Sequence, residues 1–90
     1  MKNLDELRKE INFVDDEILK LFEKRMDIVK EINKIKTELG LPIFVPERET
    51  QMKEANCKKL QNADYTNYYL HVLESYLEVS KQFQNELAKK

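Results

Sequence analysis

From Leu4 to Leu39 the apolar positions recur in alternating steps of three and four. They are Leu4, Leu7, Ile11, Val14, Ile18, Leu21, Ile28, Ile32, Ile35 and Leu39, with Arg25 in the one place between Leu21 and Ile28 where the pattern asks for another apolar residue. That spacing is the seam of a helix packed along its length on partners. No proline interrupts residues 4–39. Asn3 or Asp5 suits the capping position at the start, and Gly40 suits the left-handed position at the end. Pro42 then opposes continuation. Such a helix is roughly 50 Å long at about 1.5 Å per residue. A compact globule of 90 residues has a radius of gyration of only about 12 Å. The helix therefore outruns a monomeric globule with its apolar stripe exposed, and a second copy is the simplest cover. The pattern predicts an oligomer, most simply a two-fold dimer with the long helices side by side.

A second helix is expected from Pro46, a favourable first-turn residue, to about Leu60, with Glu47 and Glu49 complementing the helix dipole. Its inward stripe (Glu49, Met52, Ala55 or Asn56, Lys59 or Leu60) is weak, so it covers rather than builds the core. Residues 61–64, QNAD, read as a connection with Asp64 as cap of a third helix over residues 65–88. That helix carries Leu70, Leu73, Leu77, Ser80, Gln84 and Leu87 on one stripe, widened by Val72, Tyr76, Val79 and Phe83. The chain reads as one all-α domain over residues 1–90, three helices per chain, without repeats.

Composition narrows the class. With 16 basic and 17 acidic residues interspersed, and a net charge of −1, there is no basic excess of the kind a nucleic-acid surface needs. No apolar run is long enough to span a membrane. The N-terminal MKNLDELRKE lacks the apolar stretch of a signal peptide. A lone cysteine, Cys57, forms no intrachain disulfide, and together these features point to the cytoplasm. One cysteine and one histidine do not make a structural zinc site. Cys57 reads as a small, half-buried filler and His71 as a helix-surface residue.

Three polar residues, Arg25, Ser80 and Gln84, occupy places made for apolar ones. A buried guanidinium is costly without a partner and needs either a protein carboxylate or an anionic ligand, unless its position reaches solvent. Lys36 lies eleven residues after Arg25. It is thus within about 20° of the same face and roughly 16 Å further along. Ser80 and Gln84 share a face at i and i+4. Arg48 and Glu49 fall in the first turn of the second helix, where backbone N–H groups favour anions. If that helix folds over the first, Arg25, Lys36, Arg48, Glu49, Ser80 and Gln84 converge on one cationic cavity. Arg8 is about 25 Å from Arg25 along the helix and about 100° around it. It is either a solvated surface residue or, in an antiparallel pairing of long helices, a site residue supplied in trans. The chain uses only three arginines, Arg8, Arg25 and Arg48, among its many lysines. The planar fork of arginine binds a carboxylate bidentately and fixes its orientation, which suits a small dicarboxylate.

Taken together, an early arginine, a second on the heptad, a lysine eleven residues on, a proline-containing loop with Arg-Glu, and Ser-x-x-x-Gln near the end resemble the all-α chorismate mutases. The matching segments are LDELRKEINFVDDEILKLFEKR, KEINKIK, GLPIFVPERE and ESYLEVSKQFQ, nearly the whole chain. The resemblance implies an intertwined homodimer, a six-helix bundle with two equivalent sites, that rearranges chorismate to prephenate for phenylalanine and tyrosine synthesis without cofactor or metal. It implies that Arg25, and Arg8 from the partner chain, bind the substrate carboxylates with help from Ser80. Lys36 and Gln84 hydrogen-bond the ether oxygen of the breaking bond, Glu49 takes the ring hydroxyl, and Arg48 helps order the site. Val45 stands where many members carry an acid, which removes a side-chain contact and bears on affinity rather than on reaction class. The same scaffold also suits a lyase that removes pyruvate from isochorismate. A non-catalytic dimerisation or regulatory module would need none of Arg25, Ser80 or Gln84. An excised domain of a longer chain is a further alternative, mildly disfavoured by the initial Met.

Overall fold

The computed structural model describes residues 1–89. Helix α1 spans Leu4–Leu39, α2 Pro46–Lys59 and α3 Thr66–Ala88, with a single 3-10 turn at Ala63–Tyr65 leading into α3. At α1's N-terminus, Asn3 accepts from the Glu6 backbone N–H at 2.9 Å, so Asn3 is the cap and Asp5 sits inside the first turn. At its C-terminus Gly40 adopts φ 66°, ψ 30°. The Leu41 N–H reaches the Lys36 carbonyl at 2.8 Å and the Gly40 N–H reaches Thr37 at 3.3 Å. This paired closure satisfies two carbonyls that the helix end would otherwise leave open, and it needs a left-handed residue.

The expected start of α3 is corrected. Asp64 does not cap it. Asn62 accepts from the Asp64 backbone N–H at 2.9 Å and the Thr66 hydroxyl donates to Ala63 at 2.8 Å. These local side-chain bonds wind residues 63–65 into a tighter turn. Tyr65, at α3's own cap position, makes no side-chain capping bond.

Helix α3 packs against both α1 and α2. Its stripe is the one expected, with Leu73, Leu77, Ser80 and Gln84 buried. Of the flanking row, Tyr76 and Phe83 are half-buried, whereas Val72 and Val79 remain exposed. Helix α2 buries no residue fully. Glu49, Met52, Asn56 and Leu60 are half-buried, and Ala55 and Lys59 face outward. Asn56 donates to the Tyr69 hydroxyl at 3.1 Å, tying α2 to α3. Cys57 is half-buried and His71 exposed.

The heptad seam of α1 does not pack within the chain. The residues that α1 buries are Val29 and Asn33, one position round from Ile28 and Ile32. The seam aliphatics from Leu4 to Leu39 are all exposed, Ile32 least at 42% and Leu39 most at 67%. Helix α1 thus carries two stripes, one against its own α3 and one without a partner. The chain measures 56 × 27 × 15 Å with a radius of gyration of 16.5 Å, well above the roughly 12 Å of a compact globule this size. Among the described residues no helix is long and apolar enough to cross a membrane.

Candidate active site

The C-terminal half of α1, the loop after it, the first turns of α2 and the C-terminal half of α3 enclose a cavity of about 420 Å³. Arg25, Lys36, Arg48, Glu49, Ser80 and Gln84 all line it, so the six positions grouped from the sequence face one space. Val29, Ile32, Met52 and Leu77 supply apolar wall. The volume suits a small metabolite. A larger groove of about 640 Å³ runs between α1 and the end of α3. Its rim alternates Asp27, Lys30, Glu31, Lys34 and Glu38, so acids and bases are interspersed with no concentration of one sign.

Arg25 is half-buried and donates from Nη1 to the Ser80 hydroxyl, its carbon 5.9 Å from the centre of the Tyr76 ring. The Ser80 hydroxyl in turn donates to the Tyr76 carbonyl at 2.8 Å. The serine is thereby a fixed acceptor for the guanidinium, and it has no base that would make it a nucleophile. Lys36 donates to the Ile43 carbonyl at 3.0 Å. The Gly40 turn brings that carbonyl back over the last turn of α1, so the loop holds the ammonium at the cavity wall.

Among the described residues, Arg25, Lys36 and Arg48 have no carboxylate within ion-pair distance. The one carboxylate in the wall, Glu49, is paired with Lys81 at 3.3 Å. Three cations therefore line the cavity, Arg25 and Lys36 half-buried and Arg48 exposed, without a counter-ion among the described residues. Of the partners open to Arg25, the structure shows no carboxylate among the described residues; the guanidinium bonds the neutral Ser80 hydroxyl.

Gln84 is 6% exposed, and its Oε1 is buried with no hydrogen-bond partner among the described residues. An unpaired buried polar atom costs about 1–3 kcal/mol. Rotation about the last side-chain bond exchanges the amide oxygen and nitrogen, so the group can present either to a ligand.

The first turn of α2 differs from expectation. The Arg48 and Glu49 backbone N–H groups both bond the Val45 carbonyl, at 3.1 and 3.3 Å, and Pro46 has no N–H. The Arg48 side chain lines the cavity at this end. Val45 is the cap residue of α2 and makes no side-chain capping bond, while its half-buried side chain lines the cavity. Arg8 is exposed on the far half of α1 and is not part of the wall.

The sequence reading missed Lys81 and Phe44. Lys81 lines the cavity and its ammonium lies 4.5 Å from the centre of the Phe44 ring. No local pattern marks either residue, since their partners come from other elements.

The arrangement offers fixed positive charge, a buried amide and one tethered carboxylate around a metabolite-sized space. Comparison with known proteins gives the same direction. The family described as chorismate mutase type II matches residues 7–85. The chorismate mutase of Methanocaldococcus jannaschii is 34% identical over 88 residues, covering 96% of this chain and 88% of that protein. The bifunctional chorismate mutase/prephenate dehydratase of Aquifex aeolicus is 50% identical over 54 residues. The T-protein of Haemophilus influenzae is 41% identical over 63 residues. The matches cover 60% and 70% of this chain but only 15% and 17% of those two longer proteins.

Proposed function

The chain belongs to the type II chorismate mutase family, and from that membership we propose that it rearranges chorismate to prephenate in a cavity completed by a second copy of the chain. The observation that carries this reading is the set of three cations, Arg25, Lys36 and Arg48, turned into one cavity with no carboxylate of their own. A doubly negative metabolite supplies the missing counter-charge.

The rearrangement is intramolecular and concerted: the ether C–O bond breaks as a new C–C bond forms. It calls for no nucleophile and no proton transfer. The protein has two tasks. It holds the enolpyruvyl arm over the ring in a near-attack, chair-like shape. It also stabilises negative charge growing on the ether oxygen as the C–O bond lengthens.

Arg25, steadied by Ser80, grips one carboxylate, and Arg8 of the partner subunit closes on the substrate from the other side. Arg48 adds a further positive charge at the α2 end. Guanidinium forks suit this work because they fix orientation as well as charge. Lys36 leaves the Ile43 carbonyl for the ether oxygen. A fixed ammonium interacts more strongly with the charge-separated transition state than with the ground state, so it lowers the barrier rather than merely tightening binding. Gln84 presents its amide N–H₂ to the same oxygen, and Glu49 accepts the ring hydroxyl. The apolar wall around these groups excludes water, which strengthens each interaction.

The dimer is supported by the uncovered seam of α1, where full burial of each aliphatic side chain contributes about 1.5–3 kcal/mol. The lone Cys57 fits a cytoplasmic site for this chemistry. The test is chorismate turnover with product identification. The expected result is loss of chorismate with prephenate as product, and no pyruvate released from isochorismate. No turnover of chorismate, or pyruvate as the product, would overturn the proposal.

A further inference from the structure

Among the described residues, Lys81 is the one cavity-lining cation that already has a counter-ion. Its ammonium lies 3.3 Å from Glu49 Oε2 and 4.5 Å from the centre of the Phe44 ring. It also lies 3.7 Å from Glu78, whose side chain is 77% exposed and so well solvated. The Lys81 and Glu49 side chains are far drier, at 26% and 20% exposed. Three elements thus meet on one ammonium: α3 supplies it, α2 supplies the carboxylate, and the loop between α1 and α2 supplies the ring. A lysine held between an aromatic face and a carboxylate keeps few of its rotamers, and both contacts are strengthened by partial desolvation.

This arrangement solves a problem that the cavity sets for itself. Among the described residues, Glu49 is the only carboxylate in a wall with three uncompensated cations. Left untethered, it would be drawn towards them and would neutralise charge meant for the substrate. A counter-ion outside that group removes the conflict. Resting on the reading of the cavity as a chorismate site, we propose that Lys81 is a positioning residue. It pins Glu49 at the cavity wall by Oε2, leaving Oε1 to accept the substrate's ring hydroxyl and leaving Arg25, Lys36 and Arg48 free for its carboxylates. Lys81 itself touches no substrate atom. Its pairing sets the preference for a ligand that carries both a dianion and a hydroxyl donor.

The test is steady-state kinetics on chorismate for the full chain and for Lys81→Met, Lys81→Arg, Glu49→Gln and the double variant Glu49→Gln/Lys81→Met. Lys81→Met should lose about ten-fold in kcat/KM, the scale of a lost charge-assisted contact, chiefly through a higher KM. Lys81→Arg should recover most of it. In the Glu49→Gln background, where no carboxylate remains to be held, Lys81→Met should change kcat/KM by less than about two-fold. The same ten-fold loss in both backgrounds would overturn the proposal, and so would wild-type kinetics in Lys81→Met. A fall in kcat at unchanged KM, as partial unfolding produces, would also contradict it. If the wild-type chain turns over no chorismate, the functional reading fails and the proposal with it. If it does while Lys81→Met is unimpaired, only the role of Lys81 fails.

Discussion

A glutamine at position 84 places a neutral donor where a carboxylic acid would have to be protonated to do the same work. The amide donates at any pH, so kcat of the wild-type chain is expected to be flat between about pH 6 and 8. Gln84→Glu reverses this. In the proposed mechanism only the protonated carboxyl could donate to the ether oxygen, and the ionised form would repel the charge growing there. Since glutamate ordinarily titrates near about 4.3, the variant's activity should rise as pH falls and be lost as pH rises. A steep wild-type fall in kcat between about pH 6 and 8 with the fold intact, or a pH-independent Gln84→Glu variant, would contradict this role for Gln84. Arg25, Ser80 and Gln84 were legible in the sequence because each breaks an otherwise apolar stripe, and burial of a polar group requires a reason. Lys81 was not. On α3 it reads as one more solvated lysine, and only the tertiary approach of Glu49 and Phe44 gives it a task. The bonding of the amides at the start of α2 was not legible for a related reason. The pattern shows a helix end but not that the Val45 carbonyl already takes the Arg48 and Glu49 N–H groups.

Among the elements, the turn after α1 governs the geometry of the site. Gly40 closes the helix in the left-handed region and sends the chain back so that the Ile43 carbonyl meets Lys36. A Cβ added at Gly40 would meet nothing within 4 Å, so the cost of replacing it is conformational rather than steric contact. Gly40→Ala should therefore destabilise the protein by about 1–2 kcal/mol, and Gly40→Asn by less, because asparagine tolerates this region better. Denaturation at matched protein concentration checks both, and an alanine variant as stable as the wild type would contradict the assignment. The bounds of α1 were readable because an uninterrupted heptad runs between a capping Asn3 and Gly40. The entrance to α3 was not. Asn62 and Thr66 bond neighbouring backbone groups, and that local competition builds an extra turn at the place where Asp64 looked like a cap. The weak stripe of α2 left two pairs of choices open. The hydrogen bond between Asn56 and Tyr69 settles the first in favour of Asn56, and burial settles the second in favour of Leu60.

At the scale of the whole molecule, one chain leaves two features without a partner of its own. Its long helix buries only Val29 and Asn33 and leaves a continuous aliphatic seam in water. Its cavity draws cations from every helix yet omits Arg8, which sits on the part of α1 that projects from the body. The length of α1 foretold the exposed seam, but an isolated arginine carries no sign of whether it serves a site in another copy. The proposed dimer accounts for both features: the seam would pair with a second chain and bring Arg8 of the partner subunit to each cavity. The most direct test mixes two inactive proteins. Arg8→Ala chains keep their own Arg25 and Arg25→Ala chains keep their own Arg8, so a heterodimer of the two has one intact site and one doubly damaged site. After equimolar mixing, unfolding and refolding, half the dimers are mixed, and chorismate mutase activity should recover to about one quarter of the wild-type value. Activity that stays at the level of the separate variants, with mixed dimers shown to have formed, would contradict the shared site.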